Sequence, residues 1–102
     1  MINYLSGTGV KGDLDEIWDY IAKDSIENAD RRIAKLLDAF ETIAARPGIG
    51  HKREDLVPHG VLLWPVGAYV IVYRATSLPI EIVAITQGSR DIPALLGHRL
   101  SG

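Results

Sequence analysis

Three clusters in this 102-residue chain carry residue types that do chemistry in other proteins. The first is Gly7-x-Gly9-x-x-Gly12, after a short apolar run (Ile2, Tyr4, Leu5) and before a helix-like pattern. Such glycines cradle a pyrophosphate only within a strand–turn–helix–parallel strand unit, with an acid about 20 residues on. Here a second helical pattern follows and strand-like residues resume only at Val61, so the glycines read as a loop before a helix. Asp13, not Lys-Ser/Thr, follows Gly12, which excludes a P-loop. The second cluster is His51, Asp55 and His59, at a spacing that would present metal ligands on a helix. Pro58 and the glycines around it break that helix, no third nitrogen ligand is evident, and the histidines read as exposed loop residues. The third is Ser89 in Gly88-Ser89-Arg90-Asp91. With no Gly-x-Ser-x-Gly elbow and no histidine nearby, Ser89 reads as a cap or turn. Tyr69, Tyr73, Arg74 and Arg90 would suit a metal-free RNA-cleaving site, which needs no fixed spacing. The tyrosines read more simply as core, and Arg74 as a strand-end charge or a carboxylate partner.

The elements that would position these groups follow from periodicity. Asp13 with Glu16 is a capping-box variant that predicts a helix start, and Leu14, Ile17, Trp18, Ile21 and Ala22 form one helical face. Asp24-Ser25 interrupts it. Ser25 or Asn28 then caps a second helix with the stripe Ile26, Ala29, Ile33, Leu36, Leu37, Phe40, Ile43 and Ala44, stopped by Arg46-Pro47-Gly48. Residues 47–60 read as a loop. Val61–Trp64, Tyr69–Arg74 and Ile80–Thr86 are β-branched and aromatic, bounded by Pro65-Val66-Gly67 and Ser77-Leu78-Pro79, and predict three antiparallel strands. A short helix is expected at Ile92–Leu96. The fold class is therefore α+β in the order β-α-α-β-β-β(α), with a helical hairpin on one face of a small antiparallel sheet. The other face would lack a layer from this chain, and a bare apolar face marks a partner site.

Composition narrows the function classes. The length suits one domain over residues 1–102. No apolar run is long enough to span a membrane, and the N-terminus lacks the pattern of a secretory signal. The chain has no cysteine, which excludes disulfides, thiol catalysis and cysteine-ligated zinc; a cytoplasmic location fits. Net charge is −2, so nothing overall draws the chain to nucleic acid. Residues 11–30 hold seven carboxylates against two lysines, leaving the remainder net basic. An acidic helix with a basic opposite side suits a charged protein partner.

The ordered set Asp13-Leu14-Asp15-Glu16-Ile17-Trp18-Asp19-Tyr20-Ile21, Arg46-Pro47-Gly48-Ile49-Gly50, Trp64-Pro65-Val66-Gly67-Ala68-Tyr69-Val70-Ile71-Val72-Tyr73-Arg74, Ile80-Glu81-Ile82-Val83 and Gly88-Ser89-Arg90-Asp91 resembles the ParE branch of the RelE/ParE superfamily. These are toxins of bacterial type II toxin–antitoxin systems, and the resemblance covers about residues 2–96. It implies a ParD-like antitoxin whose disordered C-terminal segment wraps the toxin, a hetero-oligomer that meets DNA only through the antitoxin, and no cofactor or metal. It also implies inhibition of DNA gyrase by binding, with no catalytic residues; the RelE branch instead cleaves mRNA in the ribosome with basic and tyrosine side chains. The expected antitoxin surface is Trp64, Tyr69, Tyr73 and Ile82, with Arg74 and Arg90 as charge anchors. The chain departs from its relatives at Leu62, Ala84 and Gln87, where they often carry arginine, a basic residue and histidine, and at the glycine-rich entry Gly7–Gly12. Those losses count against RNA cleavage, which needs donors and a titratable base. They leave a third reading, a remnant that binds its antitoxin without toxicity.

Overall fold

The computed structural model describes residues 4–76, 78–88 and 90–100. Ile2 of the first apolar run, Ser77 of the strand boundary and Ser89 of the candidate cap lie outside the described residues. Strand β1 (Tyr4–Ser6) leads into helices α1 (Val10–Ala22) and α2 (Ile26–Ala45), then a 3-10 turn at Pro47–Ile49. Strands β2 (Val61–Val66), β3 (Tyr69–Arg74) and β4 (Ile80–Gln87) follow, and α3 (Ile92–Arg99) comes last.

The helical hairpin forms as its pattern dictates. Ser25 caps α2, its Oγ accepting from Asn28 N at 3.1 Å, and the indole of Trp18 donates to Asp30 at 2.8 Å across the hairpin. Helix α1 starts earlier than expected, with Gly9 rather than a side chain at its N-cap. Asp13 does not cap; its carboxylate is engaged by residues far along the chain.

The sheet runs β1-β4-β3-β2. Its three long strands are antiparallel, but β1 pairs parallel with β4, from Tyr4 opposite Ile80 to Ser6 opposite Ile82. The expected antiparallel sheet is thus corrected to a mixed one. A parallel neighbour needs a long crossover, and the hairpin with the two strands after it supplies one. Gly67, at φ +60°, makes the tight turn between β2 and β3 that a side chain would strain.

Apolar side chains sort to both faces of this sheet. On the hairpin side Ile17, Leu36, Phe40 and Ile43 pack against Leu62, Ile71, Tyr73, Ile80, Ile82 and Ile85. On the other side Val61, Leu63, Val72, Val83 and Ala84 pack against Val57 of the preceding loop and against Ile92 and Leu96 of α3. The expectation of a bare face is therefore overturned: the chain clothes both sides of its own sheet. A helix of eight residues suffices because Ile92 and Leu96, one turn apart, both point inward, while Asp91 caps its start by accepting from Ala94 N at 3.1 Å. The register slips between Val72 and Tyr73, leaving Val83 as an extra residue in β4. Such a bulge puts two successive residues on one face, which is why Val83 and Ala84 both look toward α3.

Tyr73 has no exposed surface. Its hydroxyl donates to Pro47 O at 2.6 Å and accepts from Gly50 N at 2.9 Å, holding the segment after α2 against the sheet. Removing that hydroxyl strands both backbone groups, so Tyr73→Phe should lower stability by about 1–2 kcal/mol. Burial raises the Tyr73 phenol above its ordinary value, partly offset by the Gly50 N–H. A raised folded-state value means this contribution is whole below the unfolded phenol's pKa and is lost as pH climbs through the folded one, above about pH 10. Urea melts of both proteins across that range should show a shallower alkaline fall in the variant; parallel slopes would refute the assignment. Tyr4, raised by burial and then by the Glu41 charge, supplies part of the remaining slope.

Candidate functional site

The densest polar arrangement joins three elements at the sheet's β1 side. Asp13 on α1 accepts from Ile85 N at 3.0 Å, where β4 has run past the end of β1, and from both terminal nitrogens of Arg99 on α3, at 3.0 and 2.6 Å. Arg99 also donates to Val83 O at 3.0 Å, satisfying the bulged residue's carbonyl. The two side chains are 12% and 22% exposed, and the paired carboxylate raises the arginine's affinity for its proton. Gly9 makes room: a Cβ there would lie 2.4 Å from the guanidinium carbon of Arg99. Of the three glycines, it is Gly9 that this contact requires; a Cβ at Gly12 would meet nothing. The approach to α1's N-terminus, where a dinucleotide would place its phosphates, is filled by Arg99.

Two depressions flank α1, the first lined in part by Asp13 and Arg99 themselves. One, of about 330 Å³, lies between α1 and the end of β4, with Glu16, Tyr20, Gln87 and Arg90 among its walls. The other, of about 410 Å³, lies between the end of α1 and the start of α2, lined by Ile21, Asn28, Arg31, Arg32, Lys35 and Tyr69. Tyr69 is the residue the two linings share. Arg32 stands over the Tyr69 ring at 5.7 Å and donates to Val66 O at 3.4 Å; Arg31 donates to Asn28 Oδ1 at 2.9 Å. Among the described residues no carboxylate pairs with Arg31, Arg32, Lys35 or Arg90. The spacing 28, 31, 32, 35 is one helical face and was visible in the sequence; what was missing was the knowledge that this face borders a depression.

The expected antitoxin surface is placed differently. Tyr73 and Ile82 are wholly buried and Tyr69 nearly so, all on the hairpin side, so as surface contacts they are corrected to core. Trp64 is half-buried, its ring stacked on His51 at 6.0 Å and 15°. Arg74 is half-exposed but engaged by Glu81, at 2.7 and 3.1 Å. Arg90 is exposed. Arg74 opposes Glu81 while Tyr69 opposes Gln87, and the ladder between them runs about 17 Å at strand rise, so Arg74 and Arg90 belong to its opposite ends. The fold therefore does not converge Tyr73, Arg74 and Arg90, the set an RNA-cleaving reading would use. Leu62 and Ala84 are buried on opposite faces, and Gln87 is exposed.

The metal-like cluster is dispersed as well. His51 stacks on Trp64, Asp55 is bound by Arg53 at 2.8 and 3.0 Å, and His59 lines a separate depression beside Lys52. Among the described residues no three metal-ligating side chains converge, and no helix is long and apolar enough to cross a membrane.

The profile of the family described as the ParE toxin of the type II toxin-antitoxin system, parDE, matches residues 8–92. The chain belongs to the ParE toxin family. It is 28% identical over 91 residues to Toxin ParE3 of Caulobacter vibrioides, covering 88% of this chain and 90% of that one. Its fold matches a chain from the chromosomal ParDE system of P. aeruginosa with a TM-score of 0.71, at 21% identity, over 85% of this chain and 96% of the other. The ParE match begins at Thr8, so it takes in Gly9, Asp13 and the whole hairpin, and it ends at Ile92, the first residue of α3. Of the residues that cover the sheet's second face, Val57 and Ile92 lie within the matched segment and Leu96 lies beyond it.

Proposed function

We propose that this chain, when free, inhibits DNA gyrase by binding rather than by catalysis, and that a ParD-like antitoxin neutralises it in a hetero-oligomer. The observation that carries this reading is the ParE family match over residues 8–92. The burial of Tyr73 and the pairing of Arg74 with Glu81 weigh against the RelE-type alternative, because phosphate cleavage needs those groups free to reach substrate. Contact with DNA is assigned to the antitoxin. The net charge of −2 gives the toxin no general attraction for phosphate. The cytoplasm, where gyrase and its DNA reside, is the compartment this activity requires.

Purified toxin should inhibit supercoiling of relaxed plasmid by gyrase, and the antitoxin should restore it. Undiminished supercoiling at large toxin excess would remove gyrase as the target; codon-biased mRNA cleavage on translating ribosomes would replace it with the RelE reading. Leu62, Ala84 and Gln87, where relatives are often polar, favour one further reading, an antitoxin-binding remnant without toxicity. Growth unaffected by induced expression, with antitoxin binding intact, would select it.

A further inference from the structure

We infer that the depression between α1, the open end of β4 and α3 binds a small zwitterion: an ammonium and a carboxylate on an aliphatic body the size of a free amino acid. Strand β1 pairs with β4 only as far as Ile82, so β4 runs on past it with an open edge, and the depression lies along that edge. At about 330 Å³ it falls at the small end of the usual range for ligand sites, about 300–1,000 Å³. Its polar groups divide into those already spent and those not. Asp13 and Arg99 are spent on each other, on Ile85 N and on Val83 O. Thr86 and Tyr69 are not. They are 9% and 7% exposed and line the depression, yet neither hydroxyl has a hydrogen-bond partner among the described residues. Among those residues no side-chain oxygen is both sealed from solvent and unsatisfied, so each hydroxyl keeps an opening to the outside.

The rim carries one unspent charge of each sign. Among the described residues the side chains of Glu16 on α1 and Arg90 before α3 make no ion pair or hydrogen bond, although Arg99, held by Asp13, also feels the Glu16 charge. Ile17, Ile85 and Leu95 add apolar wall. This set selects among ligands. A phosphate would set its charge against Glu16 with a single arginine to hold it. A hydrocarbon would bury hydroxyls and charges without partners, at a cost. A divalent cation would find one unspent carboxylate, and no three metal-ligating side chains converge among the described residues. A zwitterion suits both charges: its carboxylate accepts from the Arg90 guanidinium, its ammonium donates to Glu16, and the two hydroxyls can serve either end.

The test is calorimetric titration of the full chain with L-valine, L-leucine and L-methionine at millimolar concentration, beside melting curves. At least one should bind and raise the melting temperature, since a ligand bridging α1, β4 and α3 favours the folded chain. Analogues lacking one charge (for leucine, isocaproate and isoamylamine) should bind tenfold or more weaker. Arg90→Gln should weaken the amino acid tenfold or more and leave the amine as it was; Glu16→Gln should do the converse, sparing the acid. Thr86→Val should weaken binding about fivefold without lowering the melting temperature of the free chain, because its hydroxyl has no partner to lose. Lys52→Gln, an exposed cation outside the depression, should change nothing. No binding by any of the three amino acids would overturn the site. Equal binding of the singly charged analogues would overturn recognition of a zwitterion. Full affinity in both Arg90→Gln and Glu16→Gln would overturn it as well, by placing the ligand elsewhere. None of these readouts involves gyrase or an antitoxin, so the site and the toxin reading stand or fall separately.

Discussion

Asp13→Ala is expected to lower stability by about 3 kcal/mol, the lower end of the range for stripping one partner from a buried ion pair. The lower end applies because the pair keeps some solvent access, 12% and 22% exposed. Three hydrogen bonds go at once. Ile85 N–H loses its acceptor, and the Arg99 guanidinium keeps only Val83 O. Asp13→Asn keeps the shape and one acceptor oxygen but loses the charge, and should fall between the two. The decisive measurement is a double-mutant cycle with Arg99→Ala, by urea unfolding. Coupling of about 1 kcal/mol or more is expected for groups in direct bidentate contact. Additive losses would mean that the cluster does not act as one unit.

Ile92→Ala and Leu96→Ala should each lower stability by about 2–4 kcal/mol, the usual range for truncating a buried aliphatic side chain in a packed layer. Both are buried against Val61, Leu63, Val72 and Ala84, and α3 has little else on its inner side. Against a domain stability of about 5–15 kcal/mol, the double variant should sit near the edge of folding. Its effect should also be local first. Amides of α3 and of residues 52–60 should exchange faster than those of α2, and a dye that reports exposed apolar surface should bind before the hairpin unfolds. An unchanged urea midpoint in both single variants would show that α3 is not a structural layer, and the sheet's second face would return as a candidate partner site.

The elements legible in the sequence are those whose signal is local and repeated. The α2 stripe from Ile26 to Ala44 spans several turns, and Ser25 announces its start, so the helix is found almost to the residue. The strands declare themselves by β-branched runs between Pro-Gly turns. What stayed hidden depends on contacts distant in sequence. Asp13 looks like a cap because Glu16 stands three residues on; its partner Arg99 is 86 positions away and nothing nearby hints at it. Helix α3 was placed, but its role was not, because two inward aliphatic residues in eight leave a faint stripe. The parallel pairing of β1 rests on only three residues, too few to carry a direction. The same blindness misassigned Tyr73 and Ile82: alternation says that two faces exist, not which of them the helical hairpin will cover.

The pairing of Tyr4 with Ile80 sets an order for the birth of the molecule. A nascent chain that has emerged through α2 has a hairpin but neither the strands that bury its stripe nor a mate for its first strand. Joining ends so far apart carries a loop-closure penalty that is repaid only once β4 exists. Translation must therefore run past β4 before the native sheet can assemble, and a message cut short within β3 would yield fragments unable to adopt it. Whatever this fold does, it acquires that capacity only once its fourth strand has been made.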